Sequence, residues 1–374
     1  KYKIKGEKIM LKKINKNKKL IKILTIIAIL FILISIKINA NNTKEDNLNI
    51  NNQTINNINN IKSDKNEVIY KVNELNLYET NKIFNYYYNE NFEECYNYCY
   101  EIIKKDPGNS AAYIFYFASA YQLDKLQETI NSIDQEYYDY TKELVSQNKQ
   151  FLENDKKYQY LSLLNAYSNL FLYYTSKEKS KMSYLEEALN NFRNSLFFPV
   201  SYSSIYTGLG VVYFEKSLNE RAISNLNKAL SITPNDPIAL EYYAKLQNNL
   251  QNYQLTISKL EKFKNLIKYP DLIFLLGYAY EMSNEIDKAI NTYNLVYNLD
   301  PKLIGNGYIA LLRLGDIYLN NKKDKEKAIQ TYNLILQVIP DSIVAKTKIE
   351  EAQKTNLTQQ NNNSNTKTQK KSKK

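Results

Sequence analysis

One spacing recurs along the second half of the chain. In RAISNLNKALSITPNDP (221–237), KAINTYNLVYNLDPKL (288–303) and KAIQTYNLILQVIPDS (327–342), an alanine precedes a proline by 12 residues: Ala222 and Pro234, Ala289 and Pro301, Ala328 and Pro340. Upstream lie LGVVY (209–213), LGYAY (276–280) and LGDIY (314–318). Tyr213 precedes Ala222 by nine residues, Tyr280 precedes Ala289 by nine, and Tyr318 precedes Ala328 by ten. Gly210 to Gly277 and Pro234 to Pro301 are both 67 residues, about two units of a 34-residue period. The unit between them is PIALEYYAKLQNNLQNYQLTISKLEKF (237–263), with Ala244 where the others carry glycine, and its Pro270 arrives two residues late. Apolar residues three and four apart make each unit two amphipathic helices. The small residues Gly210, Gly277, Gly315, Ala222, Ala289 and Ala328 let those helices approach closely. Pro234, Pro301 and Pro340 end the second helix, because the ring has no N–H to continue the ladder. One unit cannot bury its own apolar face, so units must stack.

This register resembles that of the tetratricopeptide repeat (TPR) family, in units 203–236, 237–270, 270–303 and 308–342. Earlier, NLYETNKIFNYYYNENFEECYNYCYEIIKKDPGN (76–109) fits one more: Tyr86 precedes Cys95 by nine residues, and Cys95 precedes Pro107 by 12. Residues 111–122 read as a following first helix, with LQETINSI (126–133) as a short second helix and 135–155 as an additional one. Residues 158–174 and 183–196 read as a divergent pair. The resemblance implies an all-α, TPR-like right-handed α-solenoid of about six to seven helix pairs, continuous and helical throughout. Divergent repeats occupy 66–202, repeats proper 203–356, and DSIVAKTKIEEAQKT (341–355) is the C-terminal solvating helix.

The formal charge of +11 over 374 residues is not spread over this array. Residues 1–22 carry +9 and residues 357–374 carry +5, leaving −3 for 23–356. Nucleic-acid binding by the repeats therefore loses its electrostatic basis. Met10 reads as the translational start, with 1–9 as leader. Residues 10–40 join a basic stretch to the uncharged run Ile23–Ile36, which reads either as a cleaved secretory signal or as an uncleaved membrane anchor. Both place the remainder outside the cytoplasm, in the periplasm or on the outer face of the cytoplasmic membrane. The Asn-rich 41–65 reads as a disordered linker and 357–374 as a disordered basic tail.

The chain has no histidine and two cysteines. This excludes Ser-His-Asp and Cys-His catalysis and a four-ligand structural zinc site built from Cys and His. Gly208-Leu209-Gly210 and Gly305-Asn306-Gly307 lack the spacing and preceding strand of phosphate-binding loops. Adjacent glutamates on helices point about 100° apart. No enzyme, cofactor or metal is expected. Cys95 and Cys99 fall on the buried stripe of a second helix, where packing, a disulfide and metal binding remain open readings.

By resemblance, the first helices line a concave face that binds a protein or peptide. The positions implied are Thr207, Val211, Glu241, Tyr242, Lys245, Asp271, Phe274, Tyr278, Glu281, Leu312 and Asp316. Together with the N-terminal segment, this gives as the expected function an exported, non-catalytic scaffold, with envelope assembly as its setting. The alternative is a structural envelope protein acting by self-association or by its basic tail on anionic polymer or lipid.

Overall fold

The computed structural model describes residues 69–70, 77–146, 156–176, 178–197, 200–263 and 266–354. The readings made for 1–9, 10–40, 41–65 and 357–374 lie outside the described residues, as does the apolar run at 23–36. No described helix is long and apolar enough to cross a membrane.

Seven helix pairs stack in chain order: α1 (Leu77–Tyr88) with α2 (Phe92–Lys105), α3 (Ser110–Gln122) with α4 (Leu126–Ser146), α5 (Lys156–Thr175) with α6 (Glu178–Asn194), α7 (Ser203–Glu215) with α8 (Asn219–Ile232), α9 (Pro237–Asn249) with α10 (Tyr253–Leu260), α11 (Pro270–Met282) with α12 (Ile286–Leu299), and α13 (Gly307–Asn320) with α14 (Lys325–Val338). A last helix, α15 (343–354), covers the end of the stack. The fold is an α-solenoid.

Sequence explains the punctuation. Asp106, Thr233, Asp300 and Ile339 cap the C-termini of α2, α8, α12 and α14, and each directly precedes a proline. Their φ lies between −125° and −135° with ψ between 62° and 87°. The ring of the next residue drives them out of the helical region. Tyr269, before Pro270, takes the same conformation (φ −125°, ψ 86°), but there it opens α11 rather than closing α10. Between the two helices of a pair, Glu90, Asp124, Ser217, Gln251, Asn284 and Lys323 hold positive φ. The chain then reverses onto a shared bond: the N–H of Leu218 reaches the Tyr213 carbonyl at 2.9 Å, and that of Glu285 the Tyr280 carbonyl at 2.8 Å. In α13–α14 the equivalent bond runs from Asp324 to Tyr318 at 2.8 Å, one residue longer, which absorbs the extra residue of that turn.

Two expectations are corrected and one is extended. The second helix at 126–133 and the helix at 135–155 are one element as far as Ser146, because α4 runs without a break; 147–155 lies outside the described residues. Helicity is interrupted by two short strands, β1 (Ile69–Tyr70) and β2 (Val200–Ser201), which pair in parallel. The stack also does more than continue. α1 and α3 return to meet the first helices of later pairs: α3 packs on both α7 and α9, and Phe84 of α1 lies edge-on to Tyr269 at 4.8 Å.

Cys95, Ala222, Ala289 and Ala328 are all fully buried at matching positions, as are Cys99, Leu226, Tyr293 and Tyr332 one turn later. Cys95 and Cys99 are free thiols, with Sγ atoms 3.9 Å apart. Burial holds the Cys99 thiol well above its usual range.

Candidate functional site

The return of α3 is held by one buried carboxylate. Asp236 is the N-cap of α9 and precedes Pro237 at the first helical position. Its Oδ1 accepts from the N–H of Ile238 (3.0 Å) and of Ala239 (3.2 Å) and from Ser110 Oγ (2.7 Å) at the start of α3. Its Oδ2 accepts from Thr207 Oγ1 on α7 (2.8 Å). Around it, Ser203 Oγ donates to the Gly108 carbonyl (3.0 Å), and Ser204 Oγ to that of Pro107 (2.6 Å). Asp236 therefore sits at the N-termini of α9 and α3, whose dipoles favour a negative group, and ties both to α7 through Thr207. Burial nevertheless raises its carboxyl, and the four hydrogen bonds only partly pull it back.

Beyond this junction, side chains from five first helices form an inner cluster. Tyr174 on α5 donates to Glu215 Oε1 on α7 (2.8 Å), and its hydroxyl meets that of Tyr242 on α9 at 2.9 Å. Tyr173 donates to Glu215 Oε2 at 2.9 Å. Lys245 pairs with Glu241 at 2.5 Å and lies 4.6 Å over the Tyr242 ring. Asp271 on α11 accepts from Asn306 Nδ2 at 2.6 Å. Tyr88 ends α1, and Asp271 and Glu241 stand near enough for their charges to add to burial in raising its hydroxyl.

Tyr88 is 52% exposed and Tyr174 45%. Burial is nonetheless the largest cause raising both hydroxyls. Both rings therefore keep free surface beside the polar groups of the cluster. Burial, with Glu241 adding, raises the Asp271 carboxyl to about 6, against the pull of Lys245 and Asn306. The Tyr242 hydroxyl is raised to about 12, by burial first. Burial opposes the charge on Lys245, yet Glu241, Tyr242 and Asp271 hold its pKa above the usual lysine value.

The residues expected to bind a partner divide into three groups. Glu241, Tyr242, Lys245 and Asp271 belong to the inner cluster. Thr207 and Val211 present no surface: both are buried, because α3 returns onto α7 and covers them. The remaining five are taken up by packing and pairing within or between repeats. Glu281 accepts from Tyr293 (2.7 Å) on α12 and pairs with Arg313 (2.9 Å) on α13. Asp316 accepts from Tyr332 (2.7 Å) and pairs with Lys348 (3.0 Å) on α15. Tyr278 lies under Arg313 at 4.6 Å, Phe274 packs on Tyr293 at 5.8 Å, and Leu312 is half-buried against the core. Tyr88, Tyr173, Tyr174, Glu215 and Asn306 were missed. For Tyr174 a signal existed: it precedes Tyr242 by 68 residues, two repeat lengths.

Asp271 makes a pH prediction. In the unfolded chain its carboxyl ionises near the ordinary value of about 4, and in the folded chain at about 6. The folded chain holds the proton more tightly, so the stability this group contributes is full below about pH 4 and is lost as pH rises to about 6. Asp271→Asn, which keeps an acceptor for Asn306, should match the wild type near pH 4. It should exceed the wild type in urea midpoint above pH 7, by at most about 3 kcal/mol. A difference independent of pH would refute the assignment.

Family models of the tetratricopeptide repeat match three segments: one model at 309–342, and a second at 203–236 and 270–303. The chain contains tetratricopeptide repeats. The unmatched 237–270 holds the shortest of its second helices, α10, followed by a 3-10 turn. No curated protein matches the chain. Similar solved structures include residues 41 to the end of MamA from Desulfovibrio magneticus RS-1, with 18% identity, 47% of this chain and 97% of that one covered, and a TM-score of 0.38. YrrB, described as a TPR protein with an unusual peptide-binding site, has 20% identity, 56% and 96% coverage and a TM-score of 0.41. The APC/C hetero-tetramer Cut9–Hcn1 has 17% identity, 72% and 54% coverage and a TM-score of 0.43. Tetratricopeptide repeats support a protein-interaction scaffold, of a family that is typically non-catalytic.

Proposed function

We propose that the chain is a non-catalytic bacterial scaffold, exported across the cytoplasmic membrane, that holds a segment of a partner protein against its inner cluster. The observation that carries this reading is the pair of half-exposed tyrosines: Tyr174, bonded to Tyr242, and Tyr88, within reach of the charges on Asp271 and Glu241. Large aromatic side chains with free ring surface supply contact area at little entropic cost. Export is supported by the lysine-flanked run Ile23–Ile36, and envelope assembly is the role we propose at that location.

Affinity capture with cross-linking from an envelope extract tests it, comparing the wild type with Tyr88→Ala plus Tyr174→Ala. At least one partner should be lost from the double variant. Capture of every partner by both proteins would remove the inner cluster from consideration. Export is tested separately, by fractionating cells that express the chain with and without residues 10–40; equal distribution would refute it.

A further inference from the structure

Four carboxylates stand along α9, α11 and α13: Glu241, Asp271, Glu281 and Asp316. Three of them hold a base, Lys245 at 2.5 Å, Arg313 at 2.9 Å and Lys348 at 3.0 Å. Among the described residues Asp271 holds no lysine or arginine at that distance; its one hydrogen bond comes from the neutral Asn306. The nearest cation, Lys245, is already bonded to Glu241. Glu215, across the cluster, accepts from two tyrosine hydroxyls and pairs with no base among the described residues. Among the described residues, the carboxylates Glu215, Glu241 and Asp271 stand in the cluster with Lys245 and with Lys181, which lies 4.6 Å over the Tyr173 ring, so their balance is negative. A second acceptor is short of a donor. Asn248 follows Glu241 and Lys245 on one stripe of α9, at the spacing that places residues on a common face. It is 5% exposed and gives its amide N–H to the Leu275 carbonyl (3.1 Å), leaving Oδ1 without a partner.

We propose that the inner cluster selects a cationic partner, taking a lysine or arginine side chain of an extended protein segment with its charged head against Asp271 and its stem beside the Tyr88 ring. This rests on the partner-holding role proposed above. A cation supplies what Asp271 lacks, and aromatic faces favour it further. A neutral segment would desolvate Asp271 without compensation, and an acidic one would set like charges together.

The test uses the full chain, fluorescence anisotropy in low salt, and a labelled ten-residue peptide of alternating alanine and lysine. Matching glutamine and glutamate peptides serve as comparisons. The lysine peptide should bind and the glutamate peptide should not. Asp271→Asn should weaken binding about tenfold, the size of one charge-assisted contact, while Glu187→Gln, an exposed carboxylate on α6, should leave it unchanged. Equal affinity of wild type and Asp271→Asn, or preference for the neutral peptide, overturns the proposal. A partner captured through Tyr174 but indifferent to Asp271→Asn overturns the cationic assignment and leaves the scaffold reading intact. Tighter peptide binding when Lys367, Lys370, Lys371, Lys373 and Lys374 are all changed to Gln overturns it differently, by identifying the chain's own lysines as the occupant.

Discussion

Asp236→Ala is expected to lower the stability of the chain by about 3–5 kcal/mol, read as a fall in urea midpoint. The substitution removes the N-cap of α9, which alone is worth about 1–2 kcal/mol. It also orphans the buried hydroxyls of Ser110 and Thr207, each at a desolvation cost of about 1–3 kcal/mol. Both hydroxyls lose a bond shorter than 2.9 Å in a site sealed from water. Asp236→Asn keeps an oxygen for the helix N–H groups and should cost less than half as much. Because the lost bonds join α3 to α7 and α9, the damage should extend beyond α9, with faster amide exchange at the start of α3 as well as of α9. If exchange accelerates in α9 alone, Asp236 is a local cap and not a junction.

Gly208→Ala should cost about 2–3 kcal/mol, while Gly277→Ala changes stability by less than about 1 kcal/mol. Both glycines lie inside helices, where alanine is intrinsically better by about 1 kcal/mol. Packing decides the sign. A Cβ on Gly208 would stand 2.1 Å from Cζ and 2.2 Å from Cε1 of Phe192. That ring is fully buried and pinned edge-on against Tyr167 at 4.9 Å, so it has nowhere to go. Overpacking of this kind costs more than propensity returns. At Gly277 the nearest atoms are the Tyr293 ring carbons at 3.0 and 3.1 Å, a contact relieved by a few tenths of an ångström. Urea titration of the two variants checks the ordering, and a Gly277→Ala variant less stable than Gly208→Ala would refute it. Gly208 was passed over in the sequence because its neighbour Gly210 fills the repeat position; the ring that requires it belongs to the preceding repeat.

What could be read without coordinates follows from local chemistry repeated in register. The alanine-to-proline spacing marks each second helix, the pre-proline residue is forced out of the helical region, and the small residues mark the tight crossings. Cys95 and Cys99 entered the pattern for the same reason, as small apolar side chains at crossing positions, and their burial matches that of Ala222 and Leu226.

The candidate site was only half legible, because the family pattern assigns a residue to a face and not to a neighbour. Thr207 and Val211 occupy lining positions, yet α3 covers them. Glu281 and Asp316 occupy lining positions, yet Arg313 and Lys348 of the next repeat claim them. The sequence by itself determined a stack of helix pairs, their turns and their buried stripe, all set by interactions within about 34 residues. Only the tertiary structure decided that α1 and α3 return to α7, α9 and the start of α11, that Ser110 reaches Asp236 across 126 residues, and that Tyr174 meets Tyr242 while Tyr88 stands near Asp271. Those contacts depend on how steeply the stack curves, and curvature accumulates from small rotations at every repeat interface that no single repeat encodes.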